Sequence, residues 1–86
     1  NRIQAILTLD MDNIPSNFQE ILVEEKSLEQ WKSEGILEHL YLRDLKNGAV
    51  LVFKNVTEQQ AMSLMTELPL YRLKKSVEYL NLIQQF

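Results

Sequence analysis

The chain contains no cysteine and a single histidine, His39. The first absence excludes a disulfide framework, a thiol nucleophile and any cysteine-ligated metal, and one imidazole is too few for a zinc site. Glycine and proline number two each, which argues against a low-complexity or disordered chain. No Gly-rich phosphate loop, Ser-His-Asp set or cluster of metal ligands is present, so neither a cofactor nor a metal is expected. No apolar run approaches the roughly 18 residues of a membrane span, and no signal-peptide core precedes the first strand. A cytoplasmic protein without a membrane partner is expected. Positive charge is also scarce. A formal charge of −3 and a pI near 5.1 offer no electrostatic reason to bind nucleic acid. The one dense basic run, Arg72, Lys74 and Lys75, reads as a solvated turn.

What remains is an ordinary globular composition. Hydrophobic residues make up 45% of the 86 residues and charged residues 24%, enough for one domain, residues 1–86, and too few for two. A chain of this length buries only about 60–65% of the surface it exposes when unfolded, so association with a copy of itself is expected to add stability.

The hydrophobic period changes along the chain. From Ile3 to Met11 the alternation of Ile3, Ala5, Leu7, Leu9 and Met11 with more polar residues predicts a strand. Ser16 and Gln19 match a capping box that opens a helix running to about Glu34, with Gly35 placed to end it. Ile36 to about Leu45 and Ala49 to Lys54 read as strands joined at Asn47-Gly48, a hairpin signal. Thr57 and Gln60 form a second capping box. Ala61, Leu64, Met65 and Leu68 share a face of the helix that follows, Pro69 ends it, and Ser76 to Ile83 is a final strand.

The order β-α-β-β-α-β predicts an α+β fold of the ferredoxin-like type, a four-stranded antiparallel sheet with both helices on one face. Strand three is apolar on both sides, Val50 and Val52 one way and Ala49, Leu51 and Phe53 the other. Its second face needs a cover, and the simplest is the same sheet of another subunit, giving a face-to-face homodimer.

The first helix raises a chemical question. At about 100° per residue, Phe18, Ile21, Leu22, Glu25, Leu28, Glu29 and Lys32 share one half of the wheel, with Glu25 near its centre. Either the helix tilts, and Glu25, Glu29 and Lys32 pair in solvent past the end of the sheet, or Glu25 points into a pocket between helix and sheet and can move protons. Trp31 falls at an edge of the same face, where a large ring can cap the core while its N–H reaches water, and it is also a candidate substrate contact. On strand two, simple alternation puts Leu37, His39, Tyr41 and Arg43 on one side and Ile36, Glu38, Leu40 and Leu42 on the other. His39, Tyr41 and Arg43 would then offer donors and a fixed cation to one bound carboxylate or carbonyl, or belong to the dimer interior if the pocket lies on the other side.

Three segments together resemble the muconolactone isomerase family of the dimeric α+β barrel superfamily. Glu24-Glu25-Lys26-Ser27-Leu28 is similar to its E-E-K-x-L on the first helix, His39-Leu40-Tyr41 to its H-L-W, and Leu68-Pro69-Leu70-Tyr71 to its L-P-L-F. Where the family continues H-L-W-R this chain has Leu42, and Arg43 follows one residue along. The resemblance implies a sheet-to-sheet dimer or higher oligomer, and a cofactor-free enzyme of aromatic catabolism that shifts a double bond in a small unsaturated lactone or acid. Carried over by position, Glu25, His39 and Tyr41 would be catalytic, with Glu25 as general acid/base and His39 or Tyr41 as the enolate donor, while Arg43 and Trp31 would bind substrate. A cofactorless monooxygenase, a chemistry the same superfamily hosts, and a non-catalytic small-molecule-binding or dimerisation module are the other readings.

Overall fold

A computed structural model describes every residue except Glu24 and Lys46, and the side chains of all the rest except Gln19, Leu22 and Val23. The contributions of Leu22 to the apolar stripe and of Glu24 to the first motif therefore lie outside the described residues.

The architecture is α+β, with strands β1 (Arg2–Leu9), β2 (Leu37–Leu42), β3 (Gly48–Lys54) and β4 (Lys74–Leu82) in one antiparallel sheet of order β2-β3-β1-β4. This is the ferredoxin-like arrangement. The first helical segment is divided into α1 (Phe18–Val23) and α2 (Ser27–Ser33), and α3 (Glu58–Met65) crosses between β3 and β4. Short 3-10 turns at Met11–Asn13 and Pro69–Leu73 lead out of β1 and into β4.

One face of the sheet carries the core. Ile3, Ala5, Leu7 and Leu9 of β1 and Ala49, Leu51 and Phe53 of β3 are buried against Trp31, Ala61, Met65 and Leu68. Leu7, Leu51, Phe53 and Met65 are the largest side chains fully removed from water, and each such burial contributes about 1.5–3 kcal/mol of transfer free energy. The other face presents Gln4, Ile6, Val50 and Val52 from the two central strands, opposite Leu80 and Glu78 on β4 and His39 and Tyr41 on β2. Val52 is 8% exposed, whereas Tyr41 and Leu80 are 56% and 45% exposed. Strand three is thus apolar on both sides, and its second side belongs to a partly open face.

Local signals hold where the chemistry is local. Gly35 adopts φ +78°; its N–H donates to Lys32 O at 3.1 Å, and the N–H of Ile36 donates to Trp31 O at 3.0 Å. That pair of bonds is the Schellman closure of α2, and it requires the left-handed conformation that glycine adopts without steric cost. Thr57 Oγ1 accepts from the N–H of Gln60 and the Gln60 side chain accepts from the N–H of Thr57, at 3.1 and 2.8 Å. The second capping box is formed on both sides.

Three expectations are corrected. The helix from Ser16 to Glu34 is not continuous: α1 ends at Val23, α2 begins at Ser27, and Glu25 and Lys26 belong to neither. Asn47-Gly48 is not a two-residue turn: Gly48 already belongs to β3, β2 ends at Leu42, and Arg43 N–H donates to Gly48 O at 3.0 Å, so the connection is longer. The pairing of β2 with β3 skips from Leu37↔Phe53 to His39↔Val52. This bulge at Glu38 inserts one extra residue, and beyond it every side chain changes face. Leu37 therefore shares the core side with Leu40 and Leu42, and His39 and Tyr41 lie on the side opposite.

Candidate functional site

The break between α1 and α2 positions Glu25. Lys26 is the N-cap of α2 with no side-chain cap bond of its own. Glu25 supplies the missing acceptor: its Oε1 receives the Ser27 N–H at 2.6 Å. A carboxylate satisfying a free first-turn N–H is favourable because that donor has no partner inside the helix and the helix dipole is positive there. In an unbroken helix Glu25 would sit mid-stripe against apolar side chains with no donor for either oxygen. The break leaves one oxygen bonded and the other, Oε2, buried with no hydrogen-bond partner among the described residues.

Glu25 is half-buried and lines a cavity of about 130 Å³ whose other walls are Leu7, Leu28, Leu40, Leu42, Ala49, Leu51, Leu68 and Leu70. The walls come from α2, three strands and the segment after α3. Every one except Glu25 is apolar. Glu25 thus borders an apolar cavity that is open on the β2 side, where the lining residues Leu40 and Leu42 are 42% and 78% exposed. Among the larger depressions, those of about 610 and 720 Å³ are shallow grooves along α3 without a half-buried carboxylate, and one of about 520 Å³ is bordered by the half-buried Glu38, which Arg2 holds.

A second groove, of about 310 Å³, adjoins the cavity through the shared walls Leu28 and Leu40 and is bordered by Glu29, Lys32, Leu37, Glu38 and His39. His39 stands at this edge of the sheet, with a side chain 55% exposed. Its ring lies 5.9 Å from that of Tyr41, and its Nε2 lies 3.8 Å from Glu38 Oε1. Glu38 is held by Arg2, whose Nε and Nη2 donate at 2.8 and 3.0 Å to its two oxygens. The hydrogen-bonded guanidinium keeps the Glu38 carboxyl below its ordinary value, since the ionised form is the one it stabilises.

The remaining sequence candidates separate from Glu25. Tyr41 is on the open face of the sheet, across from Val50, and does not line the Glu25 cavity. Arg43 is half-buried, with its Nη1 donating to Thr8 Oγ1 at 2.7 Å, so its guanidinium ties the β2–β3 connection to β1. Trp31 is a core residue, 4% exposed, with its ring centroid 5.8 Å from that of Phe53; it neither caps the core at an edge nor borders the cavity. Alternation alone could not distinguish these outcomes, because the bulge at Glu38 has no sequence signature.

Two residue groups escaped sequence reasoning. The apolar lining from Leu40, Leu42, Leu68 and Leu70 reads in sequence as ordinary core, and Lys32 reads as a solvated helix charge until the groove places it near His39. Among the described residues no group of three or more His, Asp or Glu side chains could hold a metal ion, and no helix is long and apolar enough to cross a membrane. A scan against protein-family models finds no match, and a search of curated proteins finds none.

Proposed function

We propose that this chain is a cofactor-free, proton-shifting isomerase of the muconolactone isomerase type, acting on a small unsaturated lactone or acid. The observation that carries the reading is Glu25: a carboxylate with one oxygen fixed by a backbone N–H and the other buried without a partner among the described residues, on a side chain that borders an apolar cavity. A base in such a place is not solvated away from its task. The Glu25 carboxylate takes a proton from one end of the unsaturated three-carbon unit beside the carbonyl, the electron pair passes into the conjugated system as a dienolate, and the same carboxylate returns the proton at the other end. The double bond moves, no atom is gained or lost, and no electron acceptor is required.

The cavity, at about 130 Å³, is close to the roughly 150 Å³ in which an apolar cavity holds benzene, so it suits the ring of a small lactone. An acid group on that ring would be repelled by Glu25 and would project into the adjoining groove, where Lys32 offers positive charge and His39 a hydrogen-bonding ring. His39 then acts at the substrate's polar end, and Tyr41 belongs to the open face. That face, with Ile6, Tyr41, Val50, Leu80 and Leu82 on it, is the surface through which we propose a second copy pairs sheet to sheet.

The second reading is a non-catalytic binding module. It is favoured by the fact that, among the described residues, no side-chain donor lines the cavity to steady an enolate oxygen.

The test is Glu25→Gln with muconolactone as the first substrate, followed by the change in ultraviolet absorbance as the double bond moves relative to the lactone carbonyl. Gln keeps an oxygen for Ser27 N–H, so the variant should melt within about 5 °C of the wild type while losing at least 100-fold in rate, in line with a general base of about 10²–10⁴-fold effect. Full activity in the variant removes Glu25 from the mechanism. A folded wild type that turns over no unsaturated lactone yet still binds one favours the module.

A further inference from the structure

We propose that β4 and α3 form a docking site for an extended peptide, which adds to the sheet as a further strand beside β4 and brings an acidic side chain to Lys74 and Lys75. The site uses neither Glu25 nor its cavity and stands independently of the isomerase reading.

β4 is a terminal strand of the sheet, with β1 as its neighbour. The Leu9 N–H donates to Asn47 O, on the β3 side of β1. Backbone direction alternates along a strand, so Leu7, Ala5 and Ile3 also turn their N–H and C=O toward β3, and Thr8, Ile6, Gln4 and Arg2 turn theirs toward β4. Their partners Ser76, Glu78, Leu80 and Leu82 face β1 in return. Val77, Tyr79 and Asn81 therefore direct their backbone groups outward, a row of donors and acceptors spaced for one more antiparallel strand. From Ser76 to Leu82 the register with β1 is unbroken and the sequence holds no proline or lysine, residues that ordinarily blunt an edge. β2, the other terminal strand, is interrupted by the bulge at Glu38, which bends that edge.

The edge of β4 has a helix alongside it. A groove of about 720 Å³ runs between Met62, Ser63 and Thr66 of α3 and Lys74, Val77 and Tyr79. Val77 and Tyr79 pair with Leu7 and Ala5, so their side chains lie on the core side of the sheet. A peptide residue opposite either one points the same way, into the groove, where Met62 is 46% exposed and an aliphatic group finds cover. Strand addition beside a helix is an established mode of peptide recognition, with main-chain bonds giving affinity and alternate side chains giving specificity. Charge sets the direction. Lys74 Nζ lies 4.5 Å from the centroid of the Tyr71 ring, Lys75 and Arg72 beside it are exposed, and Glu78 is exposed further along the strand. A peptide antiparallel to β4 thus places a carboxylate at its C-terminal end against the lysines and a cation against Glu78. The groove is on the helix side of the sheet, so a copy paired on the open face does not compete for it.

The probe is the acetylated, amidated peptide Thr-Thr-Val-Lys-Val-Thr-Glu. Its valines fall opposite Tyr79 and Val77, its lysine opposite Glu78 and its glutamate beside Lys74 and Lys75. The isomer Thr-Thr-Val-Glu-Val-Thr-Lys exchanges the two charges, and a third peptide carries N-methyl groups on both valines of the first, removing the N–H groups that reach β4. Each is titrated at pH 7 into the full chain and followed by amide NMR. The first peptide is expected to shift the Val77, Tyr79 and Asn81 amides, to slow their hydrogen exchange at least tenfold near saturation, and to bind at least fivefold more tightly than its isomer. The N-methylated peptide is expected not to bind, and the double variant Lys74→Glu, Lys75→Glu to reverse the preference between isomers. Isomers of equal affinity overturn the proposal, because charge then sets no register. An N-methylated peptide that binds as well as its parent also overturns it, as do shifts that leave β4 unmoved. Slowed exchange at these three amides on concentrating the chain alone assigns the edge to a second copy and removes the peptide site. The comparisons on the wild-type chain stand even if the double variant folds poorly, and none of them depends on lactone turnover.

Discussion

Replacing Gly48 by alanine tests the packing of the sheet that forms the cavity floor. A Cβ added at Gly48 would lie 1.9 Å from the backbone oxygen of Leu7, 3.0 Å from its carbonyl carbon and 3.2 Å from Arg43 Cδ. Real Cβ contacts essentially never fall below 3.0 Å, so β1 and β3 must part by at least 1.1 Å, the difference between 3.0 and 1.9. β1 cannot retreat freely, because it is paired with β3 on one side and β4 on the other. Overpacking of this kind costs about 1–3 kcal/mol, and loosening the Thr8↔Gly48 and Leu7↔Ala49 rungs adds about 1 kcal/mol for each hydrogen bond lost. A total near 3 kcal/mol lowers the melting temperature of a domain this size by about 12–24 °C. Gly35 is the control. It has φ +78°, and a Cβ placed there would meet nothing within 4 Å, so alanine costs only the left-handed conformation, about 1–2 kcal/mol, and asparagine less. Thermal unfolding followed by circular dichroism should therefore show Gly35→Asn milder than Gly35→Ala, and Gly48→Asn no milder than Gly48→Ala. A Gly48→Ala protein melting within about 3 °C of wild type would refute the steric argument.

Acid sensitivity tests the Arg2–Glu38 pair. Because the folded Glu38 carboxyl is held below its ordinary value by Arg2, its stabilisation is complete above the unfolded carboxylate value of about 4.3 and is lost as pH falls through the lower folded value. The melting-temperature gap between wild type and Arg2→Gln should stay constant above about pH 5 and close below about pH 4; a gap that ignores pH would show that Glu38 draws nothing from Arg2. The open sheet face predicts self-association: sedimentation equilibrium should give about twice the chain mass of 10.1 kDa, and Leu80→Glu should return the single-chain mass. A wild type that sediments at single-chain mass would leave that face without the proposed partner.

Much of the fold was legible in the sequence because the deciding interactions are short. The capping box at Thr57 and Gln60, the Gly35 closure of α2 and the alternation of β1 each depend on residues a few positions apart, so periodicity and cap chemistry were sufficient. The element order then restricted the sheet to one familiar topology. The departures occur where local and long-range preferences compete. A helix through Glu25 satisfies local periodicity but offers its carboxylate no donor, and the break between α1 and α2 resolves that conflict by giving Oε1 the Ser27 N–H.

For this protein the sequence alone determined the α+β class, the strand and helix order, and Glu25 as the side chain that does not belong on an apolar stripe. Only the tertiary structure decided what surrounds that side chain. The cavity is assembled from Leu7, Leu28, Leu40, Ala49 and Leu68, residues brought together by antiparallel pairing and helix packing rather than by spacing along the chain. Likewise, the extra residue at Glu38 turned Leu40 toward Glu25 and His39 and Tyr41 to the opposite side. A strand's period of two carries no record of where a bulge resets it, so the face each side chain occupies is settled by its cross-strand neighbour.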